Sequence, residues 1–205
     1  MAEGPPQVKR GRKFDQVLAG AREIFMSDGF EGASVDDIAR AAGVSKATLY
    51  SYFPDKRLLF MEVAKTECIR QAEAAVETID MSLPVGTILT EAAWQMVNFF
   101  TSNFGQRVFR LCVAESDRFP ELGREFYKSG PALVRDRLIT FMEVGISRNE
   151  LKIDDLPLAA DQFNELCKAD LFLRLIFSVD TSFNDTQKER IVVGAVETFL
   201  ARYAS

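Results

Sequence analysis

Ser45-Lys46-Ala47-Thr48-Leu49-Tyr50-Ser51-Tyr52-Phe53 is the stretch of this 205-residue chain whose residue types and spacing bear most directly on chemistry. Leu49 and Phe53 are four apart, so on a helix they share one face and turn inward. Ala47 and Ser51 then stand on the opposite side, flanked by Thr48 and Tyr50, with Lys46 in the first turn. This outer face is small, polar and aromatic, and it lacks the Glu/Lys mixture of a merely solvated helix. An α-helix fits the major groove of a duplex, where such side chains reach base edges or phosphates. Ala47 suits a thymine methyl, hydroxyls suit phosphates, and Lys46 suits guanine or phosphate.

Other chemistries have little to work with. The chain has no histidine, which excludes a His general base, a Ser-His-Asp or Cys-His pair and a His-ligated metal. Cys68, Cys112 and Cys167 are far apart in sequence and odd in number, so neither a zinc nor a redox CxxC motif exists. They read as small apolar core residues, with a thiol sensor as the alternative. Carboxylate pairs such as Asp36-Asp37 and Asp154-Asp155 look like helix-start or loop acids, and Gly-rich phosphate loops are absent. The expectation is therefore a protein that is not an enzyme and carries no cofactor and no metal.

The elements that must position the Ser45–Phe53 stretch follow from helical periodicity. Phe14, Val17, Leu18, Ala21, Ile24 and Phe25 fall on one helix face, with Asp28-Gly29 as the stop. Ser34 caps a second helix that presents Val35, Ile38, Ala39 and Ala42 and breaks at Gly43. Small Ala39 lets two helices approach, Gly43 supplies a positive φ, Val44 plugs the elbow, and Ser45 caps the third helix. That third helix ends by Phe53, because the residue before Pro54 is pushed out of the α region. A fourth runs from near Asp55-Lys56 to about Asp80. Further helices are predicted at about 85–103, 106–117, 119–128, 131–147, 157–178 and 185–203. Strand-like alternation is nearly absent.

Two short helices joined by a tight glycine turn make a helix-turn-helix. Four candidate phosphate anchors surround its second helix. One is the basic run at residues 9–13, with Arg10, Arg12 and Lys13. Such runs are usually solvated arms, but its position favours an arm on phosphates. The others are the Ser34 helix start, Tyr52, and Lys56 at the N-terminus of the fourth helix.

The segment Val35-Asp36-Asp37-Ile38-Ala39-Arg40-Ala41-Ala42-Gly43-Val44-Ser45-Lys46-Ala47-Thr48-Leu49-Tyr50-Ser51-Tyr52-Phe53-Pro54-Asp55-Lys56 closely resembles the DNA-binding domain of TetR-family transcriptional regulators. Tyr52 stands where many members have His, a departure that leaves a hydroxyl for phosphate. The stretch from Phe109 to Tyr127 is similar to the AefR-like subgroup. The resemblance implies an all-α fold of about nine helices. An N-terminal three-helix domain is joined by a long helix to a C-terminal ligand-binding and dimerisation domain. It implies a cytoplasmic homodimeric repressor, bound to double-stranded DNA at a palindromic operator and released by an unidentified small-molecule effector. The expected division is a disordered tail at 1–8, the DNA-binding domain at 9–56 with the motif at about 33–52, and the C-terminal domain at 57–205.

Seventeen Phe is high for this length, and most lie after residue 90. The plainer reading is a packed core. The sharper one is an apolar effector pocket between helices. Its expected lining is Trp94, Met96, Phe100 and Phe104, then Phe109 and Cys112, then Phe126, Tyr127 and Phe141. The last two predicted helices are apolar on two sides, and a helix of that kind must bury both. One side faces its own domain and the other a two-fold mate. The expected contacts are Phe163, Leu166, Leu173 and Phe177, with Val192, Val196, Phe199 and Tyr203.

Composition bounds these readings without deciding them. The balance of 47% apolar and 27% charged residues is that of a folded chain rather than a disordered or fibrous one. Residues 1–57 carry nine Lys/Arg against eight Asp/Glu, and the remainder sixteen against twenty-two, for a net charge of −5. A slightly basic head on an acidic body is only a mild sign of nucleic acid. No apolar run approaches the roughly 18 residues needed to span a bilayer, and the N-terminus lacks a signal-peptide core, so no membrane partner is expected. The competing functional reading is a helical small-molecule-binding or interaction module that does not bind DNA.

Overall fold

The computed structural model describes residues 11–205, and the side chains of all of these except 71, 72, 75–77 and 122. Eleven helices account for nearly all the regular structure among the described residues, beside one isolated antiparallel bridge, Leu151 to Ala204. The chain divides into two compact units, one up to Thr66 and one from Glu67 to Ser205.

In the first unit, α1 (Arg12–Gly32) turns Phe14, Val17, Ala21 and Phe25 inward. It bends at Gly29, whose φ of 72° and ψ of −177° open the helix to glycine alone. Gly20 faces α2 (Val35–Ala41) so closely that a Cβ there would lie 2.4 Å from the Ala42 amide nitrogen. The close approach expected of Ala39 therefore depends equally on a glycine one helix away. Ser34 caps α2 by accepting from the Asp37 amide at 3.1 Å. Its hydroxyl donates to the Asp37 carboxylate, which also receives Arg40 at 2.7 Å. Those bonds, Ser34's first, hold the Asp37 carboxyl below its ordinary range. The turn is closed by the amides of Gly43, at φ +64°, and Val44, donating to the Arg40 and Ala39 carbonyls. α3 (Lys46–Tyr52) starts at a second cap, the Ser45 hydroxyl accepting from the Thr48 amide at 3.1 Å. α4 (Lys56–Thr78) begins after Pro54, with the Asp55 carboxylate capping the Arg57 amide at 2.8 Å, and runs across the division at Thr66.

The second unit is built around α5 (Val85–Thr101), which packs on α6 (Asn103–Glu115), α8 (Pro131–Ser147), α10 (Leu171–Ile176) and α11 (Asp185–Tyr203). α7 (Pro120–Ser129) lies on α6 and α8, and α9 (Leu156–Leu166) on α8 and α11. Ile88, Leu89, Leu138, Met142, Phe163, Leu175 and Phe199 are its largest fully buried apolar side chains. Two boundaries differ from the periodicity. The α5–α6 break falls at Ser102, which caps the Gly105 amide at 3.0 Å, and Gly105 sits inside α6 because a Cβ there would meet the Phe99 carbonyl at 2.3 Å. The predicted helix at 157–178 is two, α9 and α10, because Asp170 takes a left-handed φ of 62° between them. The Asp170 carboxylate forms ion pairs with Arg174 and Arg190.

Candidate nucleic-acid interface

α3 presents the face that its spacing predicts. Leu49 and Phe53 are buried, and Lys46, Ala47, Tyr50 and Ser51 are exposed, Tyr50 to 48%. Thr48 is half-buried. The hydroxyls on this helix are already engaged with the helix itself. Thr48 pairs with Ser45 at 2.9 Å, and Ser51 donates to the Thr48 carbonyl at 2.7 Å. A hydroxyl keeps lone pairs and rotates cheaply, so Ser51 can still be re-aimed at a duplex. Tyr52 is half-buried, its ring edge-on to Phe14 at 5.7 Å. Ser34 is exposed, but both its donor and its acceptor serve the α2 cap.

The cations are placed less simply. Arg12 and Lys13 are exposed, and they lie in the first turn of α1 rather than in an arm. Positive charge at a helix N-terminus opposes the macrodipole, so helix stability does not account for them there. Arg10 and the tail at 1–8 lie outside the described residues. Lys46 forms an ion pair of 2.5 Å with Asp36 across the α2–α3 turn. Lys56 is engaged within the fold. Its ammonium donates to the carbonyls of Phe30 at 2.8 Å and Ala33 at 3.0 Å, and it lies 4.5 Å from the Phe30 ring centroid. Two of its three protons therefore tie the α1–α2 junction to α4, and one is left over for a phosphate.

The residues expected to line an effector site are spread between core and surface. Met96 and Phe141 belong to the packed core, with Trp94 and Phe100 against it. Cys112 is buried, Phe104 and Phe126 are half-buried, and Tyr127 faces outward. Phe100 and Phe109 both meet Phe172 edge-to-face, at 5.8 and 4.8 Å, an aromatic contact that local spacing does not signal because its partners lie more than 60 residues apart in sequence. The two concavities described are open grooves, one of about 580 Å³ between α9 and α11 and one along the outer side of α11. Neither is lined by any of the nine expected residues.

The expected two-fold contacts divide by face. Phe163, Val192, Val196 and Phe199 are buried within their own unit, where they pack its core. Leu166 and Tyr203 are half-buried at the α9–α11 groove, while Leu173 and Phe177 are exposed to 64% and 74%. Leu158, Val179 and Val193, which the periodicity did not single out, are exposed with them.

All three cysteines are free and buried. Burial pushes the Cys68 thiol up to about 11, with Glu67 adding to it. Burial likewise takes Cys112 to about 12, with Cys68 a second cause, and Cys167 to about 12. Among the described residues no group of His, Cys, Asp and Glu is arranged to hold a metal, and no helix is long and apolar enough to cross a membrane.

Comparison with known proteins gives two family matches. Residues 17–63 match bacterial regulatory proteins of the tetR family, and residues 87–205 match the C-terminal domain of AefR-like transcriptional repressors. The chain is 27% identical to the HTH-type transcriptional regulator YdeS of Bacillus subtilis over 205 residues, covering 97% of this chain and 98% of that one. Among solved structures it resembles a TetR-family regulator from Mesorhizobium loti, with a TM-score of 0.76 and 25% identity over 97% of this chain and all of the other. It also resembles the flavonoid-responsive regulator FrrA, with a TM-score of 0.67 and 34% identity over 95% of this chain and 98% of that one.

Proposed function

The chain belongs to the TetR family and is a DNA-binding transcriptional regulator, and from that premise we propose that it is a homodimeric repressor released from a palindromic operator by a small, largely apolar molecule. The observation that carries the DNA-binding part is the exposed α3 face of Ala47, Tyr50 and Ser51 on a helix anchored by buried Leu49 and Phe53. Ala47 and Tyr50 then read base edges, while Arg12 and Lys13, with Arg10, Thr48, Ser51, Tyr52 and the Ser34 helix start, hold phosphates. Exposed Leu173 on α10, Phe177 just after it and Val193 on α11 supply the apolar area that a second copy would cover. Two copies related by a two-fold axis read inverted half-sites, which is why the operator is palindromic.

An aromatic effector is favoured. A relative 34% identical is a flavonoid-responsive regulator, and Phe100, Phe109 and Phe172 form an edge-to-face cluster where α5, α6 and α10 meet. The test is selection from a pool of random duplexes by the full chain, followed by a gel shift with and without a flavanone. An inverted repeat that the flavanone releases is the expected result. Selection of no repeat leaves the reading of a ligand-binding or interaction module that does not bind DNA. A repeat that planar aromatic compounds never release overturns the effector class alone.

A further inference from the structure

We propose that Asp36 is a specificity-determining residue, which by holding Lys46 at the head of α3 withholds that cation from the phosphates of arbitrary DNA. This rests on α3 being the recognition helix. Between Gly11 and Arg57 the sequence has seven Lys/Arg and seven Asp/Glu, so the described DNA-binding unit has no excess positive charge to draw it to a duplex. Most of its cations near the motif already have partners. Arg40 is paired with Asp37 and Arg57 with Asp55, and Lys56 donates to two backbone carbonyls.

Lys46 is the one Lys or Arg on α3, and its ammonium lies 2.5 Å from a carboxylate on the neighbouring helix. Both side chains are 55% exposed, so solvent weakens the attraction and the pair can separate. Ser34 and Asp37 make the side-chain cap of α2, so Asp36 gives that helix only a first-turn charge, which its substitution by Asn or Ser removes at small cost. What Asp36 does is fix the direction of Lys46 across the turn.

Two modes of binding follow. On a random duplex the only gain available to Lys46 is a phosphate. Taking it breaks the pair and leaves the Asp36 carboxylate exposed to the negative potential of the backbone. In the seated operator complex the pair stays intact, since an ammonium bonded to one carboxylate still has two protons for a base edge or a neighbouring phosphate. The carboxylate thus penalises the wrong complex and orients a donor in the right one, and specificity is the difference between them.

The experiment uses the full chain with Asp36→Asn and Asp36→Ser, in wild-type and Lys46→Gln backgrounds. Each is titrated over a range of salt against a random-sequence duplex and against the duplex selected by the wild type. Both Asp36 variants are expected to tighten binding to the random duplex by about two- to fivefold, the span of an exposed ion pair. The salt dependence there steepens by about 0.9, one added phosphate contact. Affinity for the selected duplex stays level or falls, and with Lys46→Gln the effect disappears. Equal tightening on both duplexes, an unchanged salt slope, or an effect that persists with Lys46→Gln overturns the proposal. A wild type that retains no duplex overturns the recognition-helix reading and this proposal with it, whereas a wild type that selects a repeat beside inert Asp36 variants overturns this proposal alone.

Discussion

Lys56 and Gly20 show how single residues carry the DNA-binding unit. Removing the Lys56 ammonium strips hydrogen bonds from the Phe30 and Ala33 carbonyls. Lys56→Ala is therefore expected to cost about 1–3 kcal/mol, the penalty for leaving polar groups without partners. A thermal melt followed by circular dichroism will read this as a lower Tm. Binding to random duplex at low temperature should keep the wild-type salt slope, whereas a phosphate anchor at this position would flatten it by about 0.9. Gly20→Ala forces α1 away from Ala42 and is expected to cost about 1–3 kcal/mol by overpacking, read in the same melt. By contrast Tyr50→Ala touches nothing in the core and should leave Tm level while weakening the selected duplex more than a random one. The inward set of α3 was legible because four-residue spacing fixes a helix face. Gly20 was not, because its partner lies 22 positions away and no local pattern brings the two together.

At the scale of elements, the caps were legible and the kinks were not. Ser34, Ser45 and Pro54 announce boundaries through local hydrogen bonding and sterics, and the structure places α2 and α3 between them. Gly43 was readable for the same reason, since its φ of +64° answers to a tight turn. Gly43→Ala has open space for the methyl, so its cost is backbone strain alone, about 1–2 kcal/mol. Ser45→Ala removes the cap from the Thr48 amide for about 1 kcal/mol. Both should appear as lower melting temperatures together with weaker operator binding, because each loosens the seat of α3. The break between α9 and α10 was hidden. Leu171 to Phe177 is apolar but for Arg174, and no glycine or proline marks the left-handed φ at Asp170.

Over the whole molecule, apolar periodicity marked α11 as apolar on two sides but did not separate its core stripe from its exposed one. A helix wetted on neither side leaves the sequence unable to say which stripe is core. Tertiary packing decides it, since α5 and α9 lie on α11 and Ile191, Val192, Ala195 and Val196 join the core while Val193 stays outside. Leu173→Asp combined with Phe177→Asp is expected to halve the mass measured by sedimentation equilibrium without lowering helix content. An unchanged mass would place the contact elsewhere. The thiols make a second prediction at this scale. An unfolded thiol ionises near 9.0, while Cys68 is held to about 11 and Cys112 and Cys167 to about 12. The native fold keeps them neutral, so their contribution is complete below pH 9 and is lost as pH climbs towards 12. Stability measured by urea unfolding should decline over that window, and less so in Cys112→Ala relative to its own neutral-pH value.

The same burial makes this chain its own chronometer. At neutral pH a folded molecule exposes no reactive sulfur among its three cysteines, so an alkylating reagent can mark only molecules that have opened. Counting carbamidomethyl groups by mass spectrometry over hours would time that opening, and a bound duplex or effector that steadies the fold would slow the count without any engineered label.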